Sequence, residues 1–137
     1  MFLFIKKPDI IEIYKKIANA LLEHGREICN DLNSVFQLDL SPPRERSFDK
    51  SYIRFYTVDL KKGKVMLSFL NERQPRADMV FKISENDFVN LYKGRRRTAV
   101  EYLFTGKLKL LGNYNLAVDF YYKFLLKYVK NPDDPNI

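Results

Sequence analysis

From Pro8 onward, apolar side chains recur with a helical period: Ile10, Ile13, Tyr14, Ile17, Leu21, Ile28 and Leu32 fall near one face. Pro8 suits a first helical turn, where its missing N–H costs no hydrogen bond. Gly25, beside His24, marks either a bend or the end of a shorter helix. The period then changes to two. In Val35-Phe36-Gln37-Leu38-Asp39-Leu40, Phe36, Leu38 and Leu40 share one face while Gln37 and Asp39 share the other, which predicts a half-buried strand. Ser41 to Ser47, proline-rich and charged, reads as a loop. Tyr52 to Leu60 and Lys64 to Leu70 form the arms of a hairpin turned by Lys61-Lys62-Gly63. Asn71 to Arg76 is a second connection, and Ala77 to Ile83 a fourth strand with Met79, Phe81 and Ile83 on one side.

Ser84 is placed to cap a helix carrying Phe88, Leu91 and Tyr92, with Asp87 in the position of the usual capping-box acid, and that helix should stop at Gly94. Thr98 to Phe104 supplies a short further helix. Gly106 to Gly112 is a fifth strand bracketed by glycines, with Leu108 and Leu110 on one face. Asn113 caps the last helix, which runs to about Lys130 before Asn131-Pro132-Asp133-Asp134-Pro135 ends it. One helix, three strands, a fourth strand, two helices, a strand and a helix make an α+β domain. A chain of 137 residues has the commonest single-domain size, so residues 1–137 are read as one unit.

The last helix has an uneven circumference. Between Tyr114 and Val129 its polar residues are Asn115, Asp119, Lys123 and Lys127, each four after the one before. Each such step adds one turn plus roughly 40°, so the stripe covers about 120° and leaves about 240° apolar. Leu116, Ala117, Phe120, Phe124 and Tyr128 form one apolar face, and Val118, Tyr122, Leu125, Leu126 and Val129 a flank. Neighbouring helices could sandwich it, a cavity could lie beneath it, or a second copy could cover it.

Composition narrows the chemistry. Hydrophobic residues make up 46% of the chain and charged residues 30%, the balance of a folded globular protein. Cys29 is the single cysteine and His24 the single histidine, so neither an intramolecular disulfide nor a paired histidine metal site is available, and no cofactor or metal is expected. His24 and Cys29 are five positions apart and do not share a helical face well, which argues against catalysis by that pair. Eleven phenylalanines and nine tyrosines must fill a core or line something. The apolar opening Met1 to Ile5 is shorter than an export signal, and a cytoplasmic location is expected. A net charge of +7 suits an anionic partner, although a solvated basic surface is the commoner explanation. The hairpin lysines Lys61, Lys62 and Lys64 have no interleaved aromatic residues, which makes nucleic acid the weaker partner.

One stretch has a pattern of its own. Ala77 to Asp119 reads ADMVFKISENDFVNLYKGRRRTAVEYLFTGKLKLLGNYNLAVD. It resembles the C-terminal half of the sterol-carrier-protein type of lipid-transfer domain, in which a strand A-D-V-x-F-x-I, a helix start S-x-x-D-F-V and G-K-L-K-I-x-G-N followed by L-A recur. VFQLDL at Val35 to Leu40 and FYTVDLKKGKV at Phe55 to Val65 resemble that family's first two strands. The resemblance implies a five-stranded, mostly antiparallel sheet with helices on one face enclosing an apolar tunnel. It also implies binding of a sterol, fatty acyl chain, phospholipid or prenyl chain without catalysis. The residues expected to face the ligand are Phe36, Leu38, Val58, Leu60, Met79, Phe81, Leu108 and Leu110 of the strands and Phe88 and Leu103 of the middle helices. Leu116, Ala117, Phe120, Tyr121 and Phe124 of the last helix complete the set. For each strand position, plain core packing is the simpler explanation.

Two departures from the family pattern bear on partners. The chain ends Pro135-Asn136-Ile137, not in the Ser-Lys-Leu-type address of the peroxisomal members. Lys93-Gly94-Arg95-Arg96-Arg97 is more basic than the usual linker. Arg95, Arg96 and Arg97 are either a solvated loop or a contact with phosphate groups of an anionic membrane. The alternatives to a lipid carrier are an accessory lipid-binding factor in quinone biosynthesis and a basic nucleic-acid-binding module. Oligomeric state is left open.

Overall fold

The computed structural model describes residues 10–61, 63, 65–70, 76–94 and 96–129. The opening apolar run, Pro8, Lys62, Lys64, most of the Asn71 to Arg76 connection, Arg95 and the proline-rich end lie outside the described residues.

The long apolar stripe at the start of the chain becomes two helices, α1 (Ile10–Glu23) and α2 (Gly25–Leu32), parted at His24. Gly25 allows the close approach there: a Cβ on it would stand 3.1 Å from the Val65 side chain. α1 buries Ile13, Ala20 and Leu21, and α2 buries Ile28, Cys29 and Leu32. Asn33 ends α2 in the left-handed region at φ 36°, its N–H donating to the Cys29 carbonyl, a conformation asparagine tolerates better than most residues.

The strands are β1 (Val35–Ser41), β2 (Phe55–Asp59), β3 (Met66–Leu70), β4 (Met79–Ser84) and β5 (Lys109–Gly112). They form one sheet in the order β3-β2-β1-β4-β5. Among the described residues only the β1–β4 pairing is parallel, so the sheet is mostly antiparallel and the fold α+β. β2 is shorter than its hydrophobic pattern predicts. Tyr52 stays buried outside the ladder and donates its hydroxyl to Glu85 Oε1 at 2.8 Å.

β1 departs from the expected half-buried strand. It lies between β2 and β4, and Gln37 and Asp39 on its outer face are buried along with Phe36 and Leu40. Gln37 Nε2 donates to Thr57 Oγ1 of β2 at 3.3 Å, and Asp39 Oδ1 accepts from Nε of Arg54, the residue before β2, at 2.7 Å, so each buried polar side chain has a partner on the neighbouring segment. Asp78 ties three parts of the sheet together. Its Oδ2 accepts the Val35 N–H at 2.8 Å, its own N–H donates to the Val35 carbonyl, and Lys61 at the hairpin turn reaches its carboxylate at 3.1 Å.

The helices follow their caps. Ser84 Oγ accepts the Asp87 N–H at 3.1 Å and starts α3 (Glu85–Lys93). α4 spans Arg96–Thr105, beginning two residues earlier than expected, so Arg96 and Arg97 open a helix and are not part of a linker. Asn113 Oδ1 accepts the Asn115 N–H at 3.0 Å and starts α5 (Tyr114–Asp119). Beyond α5 the chain does not continue as the regular α-helix expected from the polar stripe. Phe120–Val129 widens to π-type turns, with hydrogen bonds reaching one residue further along the chain.

All these helices lie against the face that carries Phe36, Val58, Met79 and Phe81. Two clusters fill the space. One joins α1, α2 and the π-type segment to the sheet through Leu21, Ile28, Phe36, Leu60, Met79 and Phe124. The other gathers Leu40, Ile83 and Leu108 under Phe88, Leu91, Tyr102 and Leu103 of α3 and α4.

Candidate functional site

Between these clusters the sheet and the helices do not meet, and a cavity of about 300 Å³ remains. Its floor follows from strand register. Tyr56 pairs with Leu38, Leu38 with Phe81, and Phe81 with Leu110, so one row of side chains crosses β2, β1, β4 and β5. All four line the cavity. Three strand spacings make this row about 14 Å long. Phe36, Val58 and Ile83 complete the floor.

The walls come from Ile10, Tyr14 and Ile17 of α1, Phe88, Leu91 and Tyr92 of α3, and Ala99, Val100 and Leu103 of α4. The roof comes from Tyr114, Ala117 and Val118 of α5 and from Phe120, Tyr121, Tyr122 and Leu125 beyond it. The Phe120 ring packs at a tilt against Phe36 at 4.8 Å and Phe81 at 5.4 Å between centroids, which holds the roof against the floor. At the β2 end, Tyr14 meets Tyr56 edge to face at 4.6 Å.

Among the described residues no charged side chain lines the cavity. Burial pushes the Tyr14, Tyr56 and Tyr92 hydroxyls above the ordinary tyrosine range, so they remain neutral at physiological pH. Burying an ionised group against such a lining would be strongly unfavourable, whereas an apolar chain loses nothing by entering.

Exposure marks the mouth. Val100 on α4 and Tyr114, Val118 and Tyr122 on the roof line the cavity and are also 41–56% exposed. The cavity therefore opens between α4 and the roof, near the β5 edge.

Of the residues expected to face a ligand, Phe36, Leu38, Val58, Phe81, Phe88, Leu103, Leu108, Leu110, Ala117, Phe120 and Tyr121 line this cavity. Leu60, Met79, Leu116 and Phe124 do not. Leu60, Met79 and Phe124 are fully buried in the cluster with α2, and Leu116 packs against it. They share a face with the lining residues, but α2 fills that end of the sheet. Alternation identifies the face and not the position along it. The expected set leaves out Tyr14, Tyr56, Tyr92, Val100 and Tyr114; helical patterning puts Tyr14 and Tyr92 among apolar helix positions, and the high aromatic content is the trace of Tyr56 and Tyr114. Val118, Tyr122 and Leu125, read as a separate flank of the last helix, share the lining with Ala117 and Phe120.

The remaining candidate chemistry lies elsewhere. Arg97 is exposed in the first turn of α4, while Arg95 and the side chain of Arg96 lie outside the description. His24 stacks on Tyr128 at 4.5 Å, and Cys29 is buried in the core, where burial and nearby Asp59 raise its thiol pKa. Among the described residues no group of histidine, cysteine and acidic side chains could hold a metal ion, and no helix is long and apolar enough to cross a membrane.

A mostly antiparallel sheet roofed on one face, around a cavity whose described lining is apolar and carries no charged side chain, is an α+β architecture of the kind that holds an apolar molecule. The chain belongs to the SCP-2 sterol transfer family, whose model matches residues 17–121. Sterol carrier protein 2 from Yarrowia lipolytica, in its apo form, is similar in structure at a TM-score of 0.63 and 21% identity, over 92% of this chain and 98% of that one. The sterol carrier protein domain 2 of Helicoverpa armigera gives 0.59 and 19%, over 87% and 90%. A structure described as the ubiquinone synthesis protein UbiJ-SCP2 gives 0.52 and 13%, over 80% and 83%. Family membership supports lipid binding and transfer in general terms.

Proposed function

We propose that this protein is a noncatalytic carrier that holds a single apolar chain between the inner face of the sheet and the roof formed by α5 and the π-type segment. The observation that carries the reading is the cavity itself: about 300 Å³, open at one side and without a charged side chain among its described lining residues. That volume lies at the lower end of ordinary ligand sites. Each buried methylene contributes about 0.8 kcal/mol, so an acyl or prenyl chain gains useful affinity without a specific polar contact. Three of the lining tyrosines, Tyr14, Tyr56 and Tyr92, have hydroxyls that burial holds in the protonated form, which supports holding a ligand over transforming it.

Native mass spectrometry of protein purified without detergent, followed by extraction of bound lipid, tests this. The expected result is a noncovalent adduct of defined mass that an added fluorescent fatty acid displaces. A sterol, a phospholipid or a fatty acid would each name the cargo. A polyprenylated quinone precursor would assign the accessory role in quinone biosynthesis. A protein that is empty and takes up no fluorescent fatty acid would overturn the carrier reading.

A further inference from the structure

We propose that α4 and the adjoining roof dock on an anionic lipid bilayer, with Phe104 entering the interface beside the cavity mouth. The proposal rests on the carrier reading, because it concerns the opening through which that ligand passes. Three observations support it. Phe104 is 88% exposed on a helix whose Val100, four residues earlier, is 48% exposed and lines the cavity. Phe104 is therefore next to the mouth on the same helical face.

Second, this stretch of the sequence is strongly basic. Lys93 to Lys109 carries six basic side chains and one acidic, hence five of the chain's seven net positive charges. Arg97 is one turn from Val100 and two from Phe104, and at the other end of α4 the Lys107 ammonium lies 5.2 Å from the Tyr102 ring centroid. Third, the first turn of α4 contains no acidic residue. Basic side chains at a helix N-terminus oppose the helix dipole, so this arrangement weakens the isolated helix and favours an external anion. Exposed tyrosines at positions 114 and 122 complete the rim, and amphipathic rings of this kind suit the headgroup region. A bilayer supplies both the negative charge and the apolar phase that this surface matches.

The test is sedimentation of the full chain with vesicles of phosphatidylcholine alone and of three parts phosphatidylcholine to one part phosphatidylserine. The mixed vesicles should retain the protein, and added salt should release it. Phe104→Ala should lower the partition coefficient roughly tenfold, and Arg97→Ala about fivefold. Both variants should take up a fluorescent fatty acid in solution as the parent does, because neither side chain lines the cavity. That control separates the two readings: lost uptake in the parent protein refutes the carrier, and vesicle binding is scored independently of it. Failure of the parent protein to bind mixed vesicles overturns the docking proposal. So does equal vesicle binding by Phe104→Ala, a dimer that this substitution splits, or binding to a single-stranded oligonucleotide in place of vesicles.

Discussion

Phe120 and Phe124 stand one turn apart with rings 5.1 Å from each other, yet they do different work. Phe124 is 0% exposed and closes the core against α2, whereas Phe120 faces the cavity. Truncating Phe124 to alanine removes a packed ring and should destabilise the fold by about 3–5 kcal/mol in urea denaturation. Ala117→Leu acts in the opposite way. It adds methylenes to a space that is already open, so stability should change by less than about 1.5 kcal/mol while uptake of a fluorescent fatty acid falls several-fold. Equal loss of stability in both variants would show that the cavity is not free space. Lys123→Ala, which removes only an exposed contact with Asp119 at 3.8 Å, serves as the neutral control.

β5 depends on its closing glycine. Gly112 has φ 121°, a conformation that side chains rarely adopt, and a Cβ there would collide with the Asp78 carbonyl oxygen of the neighbouring chain segment. Gly106, at the other side of the same strand, has φ 80° but open space around it. Gly106→Ala should therefore cost only the backbone penalty, about 1–2 kcal/mol. Gly112→Ala should cost clearly more, because β4 must also move. Denaturation midpoints for the two variants check the order, and a larger loss at Gly106 would contradict it. The same pairing explains why the glycine-bracketed strand and the Ala77-Asp78 start of β4 belong together: Asp78 meets Gly112 through its backbone and Val35 through its carboxylate.

Across the molecule, one buried and three half-buried tyrosines link the cavity region to pH. Burial raises the pKa values of Tyr14, Tyr52, Tyr56 and Tyr92, and the bond to Glu85 adds to the effect at Tyr52. In the unfolded chain they titrate near pH 10. Above that pH the unfolded state releases protons that the folded state retains, so the stabilisation present below pH 10 is lost progressively as pH rises towards the raised folded values. Urea midpoints should fall above about pH 10, with tyrosinate absorbance from these residues appearing at higher pH in the folded protein than in the unfolded chain. A flat midpoint through that range would mean that the rings are hydrated in the folded state.

Periodicity along the chain was enough for the five strands, the Ser84 and Asn113 caps and the inner face carrying Phe36, Leu38, Phe81 and Leu110, because each depends on a local repeat or a local hydrogen bond. The ADMVFKI and GKLKLLGN segments pointed to the family for the same reason: the conformation and the close approach at Gly112 constrain the local sequence tightly. Other features depend on residues distant in sequence. The burial of Gln37 and Asp39 follows from strand order, and the division of one apolar face into cavity and core follows from where α2 ends. The widening of the last helix to π-type turns and the opening of the mouth between α4 and the roof came only with assembled packing. A repeat specifies which way a side chain points; what it meets there is set by elements brought together across the whole fold.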